Sequence, residues 1–151
     1  MDIITAERNI GFKERRYIEE LRILTGAVAL DCIIDDRFDR IIYIVRPGNM
    51  GLAIGKHGDN IRKMRKVLGR NVEMVEYAED PQDLIRNLFK PAAIHTVEET
   101  QGSYRVLLED RSDLGIAIGR GGSTVEKARL IALHLLGREI SDVGVYGDRQ
   151  D

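Results

Sequence analysis

A chain of 151 residues, 43% hydrophobic and 32% charged, has the make-up of an ordinary folded protein, long enough for one domain or two small ones. No apolar run reaches the roughly 18 residues of a membrane span, and Met1-Asp2-Ile3-Ile4-Thr5 has neither the basic start nor the apolar core of a secretory leader, so the sequence points to the cytoplasm. A net charge of −2 speaks against a uniformly basic surface, and one cysteine excludes an internal disulfide.

The spacing of Phe12, Ile18, Leu21 and Leu24 predicts a helix that Gly26 ends. Residues 27–35 alternate as a strand that includes Cys32, expected as a buried thiol. A turn at 36–39 leads to a second strand over 40–46, with Ile41, Tyr43 and Val45 on one face, and Pro47-Gly48 breaks it. A short helix over 49–54 stops at Gly55. A longer one follows from Asp59 to Leu68, its apolar stripe read as Ile61, Met64 and Val67/Leu68. Gly69 closes that helix, and 71–77 alternates as a third strand.

The same order then returns. Pro81 is suited to open a helix running to Phe89. Strands are expected over 92–100 and 103–109, a short helix over 111–118, a long helix from Ser123 to Leu136, and a last strand over 139–146 before a polar tail. Each half reads α-β-β-α-α-β, which implies an α+β fold built twice, with domains at 1–78 and 79–151 and a three-stranded mixed sheet in each.

One stretch organises each half. Ile54-Gly55-Lys56-His57-Gly58-Asp59-Asn60-Ile61 is matched 64 residues later by Ile118-Gly119-Arg120-Gly121-Gly122-Ser123-Thr124-Val125. Glycines bracketing cationic or small residues at the mouth of a helix let a backbone come close to an anion, and the free amides and dipole of the following helix favour a phosphate. Charge gathers at the first copy. Between Ala53 and Arg70 stand Lys56, Arg62, Lys63, Arg65, Lys66 and Arg70 against Asp59 alone, a net +5 on a chain whose total is −2. Residues 117–138 carry a net +3, with Arg120, Lys127, Arg129 and Arg138 against Glu126. Such a basic face on an acidic body is the footprint of a nucleic-acid binder.

The motif in this secondary-structure frame resembles a type II KH domain. Two in tandem resemble the KH pair of the NusA transcription elongation, termination and antitermination factors, in the short archaeal form. The resemblance implies that single-stranded RNA lies with its sugar-phosphate against each loop and about four nucleotides in the adjoining groove. Gly55 and Gly58 would admit the RNA backbone, Lys56 and His57 would contact phosphate, and Ile54 and Ile61 would floor the groove. Arg62, Lys63, Arg65 and Lys66 would add salt-sensitive attraction. In the second copy Gly119, Arg120, Gly121 and Gly122 match the clamp, with Ile118 and Val125 beneath and Lys127 beside it. The sequence shows no match to the N-terminal polymerase-binding domain, the OB-type barrel or the acidic C-terminal repeats of the longer bacterial form.

The implied partners are single-stranded RNA and RNA polymerase or its transcription complex, with the chain acting as a monomer away from membranes. Another tandem-KH role, in ribosomal RNA processing or small-subunit assembly, is the alternative. An enzyme is disfavoured. Gly51 to Lys56 has three residues between its glycines where a P-loop needs four, and His57 stands where Ser or Thr is required. Gly119-x-Gly121 lacks the third glycine of a dinucleotide fingerprint. His57, His95 and His134 have no metal-ligand spacing, so neither metal nor cofactor is expected. Glu73, Glu76, Glu79 and Asp80 read as surface charge, and the five tyrosines as packing at sheet edges. An RNA-independent interaction scaffold is opposed by intact glycines and loop cations in both copies.

Overall fold

A computed structural model describes residues 10–148; the N-terminal pentad and the last residues of the polar tail lie outside the described residues. The chain divides into two compact units, residues 1–78 and 79–151. The first runs α1 (Phe12–Thr25), β1 (Ala29–Asp35), β2 (Arg40–Val45), α2 (Met50–Ile54), a 3-10 turn (Lys56–Gly58), α3 (Asp59–Leu68) and β3 (Asn71–Glu76). The second runs α4 (Pro81–Phe89), β4 (Ile94–Thr100), β5 (Ser103–Leu108), a 3-10 turn (Arg111–Asp113), α5 (Leu114–Ile118), another 3-10 turn (Arg120–Gly122), α6 (Ser123–Leu136) and β6 (Glu139–Val145). The α+β class and the repeated order agree with the sequence reading. Among the described residues no helix is long and apolar enough to cross a membrane.

Both sheets have the same topology. β2 lies in the middle, antiparallel to β1 and parallel to β3; β5 lies between β4 and β6 in the same manner. Each antiparallel pair slips register near the start of its first strand, between Ala29 and Asp31 and between Ile94 and Thr96. A parallel partner needs a crossover, and the two helices around the Gly-x-x-Gly turn supply it. The turn is therefore fixed at both ends to adjacent strands.

The first core forms where helices meet the sheet. Leu21 of α1, Ala53 of α2 and Met64 of α3 pack with Cys32, Ile41, Tyr43, Val45 and Val72. Every residue of β2 is buried, so Ile42 and Ile44 on its other face are as enclosed as the expected stripe. Tyr43 lies mid-sheet instead of at an edge, and its hydroxyl donates to the Tyr17 carbonyl at 2.8 Å. At the ends of helical stripes the periodicity misleads. Phe12 is 79% exposed and Val67 is exposed, while Ile61 and Leu68 pack against the core.

Charge is also built into this unit. Arg40, fully buried, donates from Nε to Asp35 at 2.7 Å and from Nη1 to Glu73 at 3.0 Å, with Phe38 beneath its guanidinium. Glu73 is thus the partner of a buried cation and not plain surface charge. Glu76 accepts from the Gly48 amide, and Asp80 caps α4 by accepting from the Gln82 amide. In the second unit Asp110 accepts from the Ser112 amide, and that bond holds its carboxyl below the usual range. It fixes the turn from which α5 enters the second loop.

Candidate nucleic-acid interface

In the first copy the Gly55 amide closes α2 by donating to the Gly51 carbonyl at 2.8 Å. The chain then leaves the helix with Gly55 at φ 77°, ψ 169°. His57 is left-handed at φ 56°, ψ 24°, and Gly58 follows at φ 75°, ψ 16° as the residue before α3. The second copy repeats this path: Gly119 at φ 78°, ψ 166°, Gly121 at φ 63°, ψ 18°, and Gly122 at φ 81°, ψ 13°. The Gly58 and Gly122 amides both return to the first glycine's carbonyl at 3.1 Å. These angles agree within 7° between copies that differ at both middle residues. The sequence matches positions, and the chain matches conformation.

The first glycine of each loop answers to the protein itself. A Cβ on Gly55 would stand 2.8 Å from the Asn60 amide nitrogen, and one on Gly119 would stand 2.6 Å from that of Thr124. Real Cβ atoms do not come so close to backbone. The start of the following helix is thus one close neighbour that requires glycine at each first position. The middle position is different. A Cβ on Gly121 would meet nothing within 4 Å, and His57 fills the same conformation with a side chain. Histidine is among the residues that tolerate positive φ.

Each loop carries an exposed cation at its second position, Lys56 or Arg120. Behind the first loop the basic residues sort into two groups. Lys56, Lys63 and Lys66 are exposed and, among the described residues, have no ion-pair partner. The arginines are committed: Arg62 pairs with Asp59, Arg65 donates to the Val72 carbonyl at 3.2 Å, and Arg70 holds Asp36 and Asp39 at 3.1 Å each. The positive excess at the loop is smaller than the residue count. In the second copy Arg129 pairs with Glu126 and donates to the Ile140 carbonyl, and Arg138 pairs with Glu99. Arg65 and Arg129 thus both tie a helix to the strand after it, a structural duty that sequence position alone did not reveal.

The apolar residues divide too. Ile54 and Ile118 are 37% and 38% exposed beside their loops. Ile61 is half-buried against the first core, and Val125 is 7% exposed, a core residue with little surface to offer. Leu52 and Ile116, not singled out from the sequence, are 50% and 45% exposed on the short helices. Their common offset from Gly55 and Gly119 was the available signal. Each loop therefore combines a cation, amides that precede the first intrahelical bond, and exposed aliphatic side chains. That combination can hold an anionic group and an apolar face side by side.

The KH domain family matches residues 14–101, more than half of the chain. This chain belongs to the KH-domain family. The matched stretch takes in the first loop and ends before the second, which is assigned to the same architecture by its sheet order and loop angles. Within the KH family the chain is NusA-like and archaeal in type. It is 37% identical over 119 residues to the probable transcription termination protein NusA of Halococcus morrhuae, covering 78% of this chain and 84% of that protein. A transcription termination/antitermination protein NusA from Thermus thermophilus is 30% identical over 99 residues, which make up 26% of its length. Among solved structures, the crystal structure of APE1850 matches with a TM-score of 0.75 and 37% identity, over 90% of this chain and 99% of that one.

Proposed function

We propose that this protein binds single-stranded RNA through both Gly-x-x-Gly loops and acts in transcription termination or antitermination, holding nascent transcript near RNA polymerase. The observation that carries the reading is the near-identity of the two loop conformations, each with a cation at its second position. A turn conserved in angle but not in its middle residues supports a task done by main chain. The Lys56 and His57 amides, like those of Arg120 and Gly121, precede the first bond of the loop and would face phosphate oxygens. Lys56 and Arg120 add charge, and Ile54 and Ile118 would support a base. Family membership and the names of the relatives support the same reading. Two weak sites joined by a short junction act as one extended site through effective concentration.

The test is fluorescence anisotropy with labelled single-stranded RNA at two salt concentrations. Lys56→Asp with His57→Asp, and Arg120→Asp with Gly121→Asp, should each weaken binding while far-UV circular dichroism stays native. Lys56→Asp should cost more than Arg120→Asp, because Lys63 and Lys66 reinforce the first copy alone. Wild-type affinity in a variant carrying all four of these substitutions would refute RNA clamping by these loops. Crosslinking to transcript and co-purification with RNA polymerase test the cellular role, and no ATP hydrolysis above background is expected.

A further inference from the structure

One hollow of the first unit lies away from its loop. It has a volume of about 220 Å³ and is lined by Lys13, Arg16, Tyr17 and Glu20 of α1 and by Leu68 at the C-terminal end of α3. The ten residues of α3 put it about 15 Å from the Gly-x-x-Gly turn. Lys13 and Arg16 are exposed and, among the described residues, have no ion-pair partner. Tyr17 is half-buried: its side chain packs against the first core, and its carbonyl accepts from the Tyr43 hydroxyl at 2.8 Å. The site thus offers a half-buried aromatic ring, an aliphatic wall, two cations and one carboxylate. Its volume is below the roughly 300–1,000 Å³ of clefts for drug-sized ligands, and suits one planar base.

We propose that this hollow takes one further nucleotide of a single-stranded RNA gripped at the first loop. The base packs against Tyr17 and Leu68, Lys13 and Arg16 meet its phosphates, and Glu20 accepts a hydrogen bond from a base N–H. Lys63 and Lys66, exposed on α3 between loop and hollow, give the strand a positive surface to follow. Base–aromatic packing is tolerant of sequence because every base has a π-face. This inference rests on the RNA-binding reading, and the experiment separates the two.

Anisotropy is measured with a four-nucleotide and a twelve-nucleotide mixed-sequence RNA across a salt series. Lys13→Ala with Arg16→Ala should weaken the twelve-mer about tenfold and make its log–log salt slope shallower by about 1.4, the change for two phosphates on a single strand. The four-mer should be unaffected. Glu20→Ala should weaken the twelve-mer although it removes a negative charge, whereas diffuse attraction alone would tighten it. An unchanged twelve-mer, equal losses at both lengths, or tightening by Glu20→Ala would overturn the proposal. The combination of Lys56→Asp and His57→Asp with Arg120→Asp and Gly121→Asp should abolish four-mer binding. If it does not, the loop reading falls and the hollow is still judged on the twelve-mer.

Discussion

The side-chain amide of Asn60, in the first turn of α3, donates to the Leu52 carbonyl at 2.7 Å. Had α2 continued, that carbonyl would have paired with the Lys56 amide, but the chain turns away at Gly55. Asn60 therefore closes the bracket around the loop by tying the helix that leaves it to the helix that enters it. Asn60→Ala should cost about 1 kcal/mol of unfolding free energy, the usual net worth of such a bond. Exchange of the Gly58 amide should quicken. Urea denaturation and hydrogen exchange check both, and an unchanged midpoint would mean that the bond contributes nothing.

The glycines of the loops are not equivalent, and substitution should rank them. Gly55→Ala forces a Cβ into the Asn60 backbone as well as a positive φ, and should destabilise by more than about 3 kcal/mol. Gly121→Ala meets open space and should cost only the left-handed penalty of about 1–2 kcal/mol. Gly121→His should cost no more than that, since His57 already occupies the same angles. Thermal unfolding of the three variants tests the order.

Arg40 is a buried cation between two carboxylates and above an aromatic ring. Arg40→Met would fill most of the space but take from Asp35 and Glu73 the guanidinium they share. A loss of about 3–5 kcal/mol is expected in chemical denaturation. A loss below 1 kcal/mol would show that water reaches the pair.

These examples mark what could be read ahead of the structure. Helix ends at Gly26 and Gly69 were legible because a left-handed glycine cap is a local device, needing no knowledge of the fold. The repeat was legible because it lies in spacing. What stayed hidden depends on partners far along the chain. Arg70 meets Asp36 and Asp39 across more than thirty residues, so its charge was counted toward the loop although it is spent on the β1–β2 turn. Phe12 fits the helical stripe, yet it stands at the helix start, beyond the edge of the core. The closeness of Gly55 to the Asn60 backbone was out of reach for the same cause, because it is set by how α2 and α3 meet.

Burial sets the alkaline limit of stability. Enclosure, with smaller contributions from Asp31 and Glu14, pushes the Cys32 thiol far above its ordinary 9.0, and burial raises the Tyr43 phenol likewise. Each group's contribution is intact below its ordinary range. It declines as pH climbs above that range, because the unfolded chain can release a proton that the folded one retains. The slope should be about 1.4 kcal/mol per pH unit for each group. Denaturation midpoints measured from pH 8 upward should fall accordingly, and Cys32→Ala should flatten the first part of the descent. Alkylation of Cys32 in the native protein should be slow at pH 8 and should accelerate on unfolding.

Of the two helices that leave a Gly-x-x-Gly turn, the later has 14 residues where its counterpart has 10, yet both begin at the same step after their turns and both finish in a left-handed glycine. Four residues are one winding plus about 40°, so the added length advances the exit while almost preserving which flank faces inward. Growth by two would have swung that exit to the far side, leaving Arg129 unable to reach the strand that follows. Copies of this unit can lengthen here only in near-whole windings, a quantum imposed by the crossover between parallel neighbours.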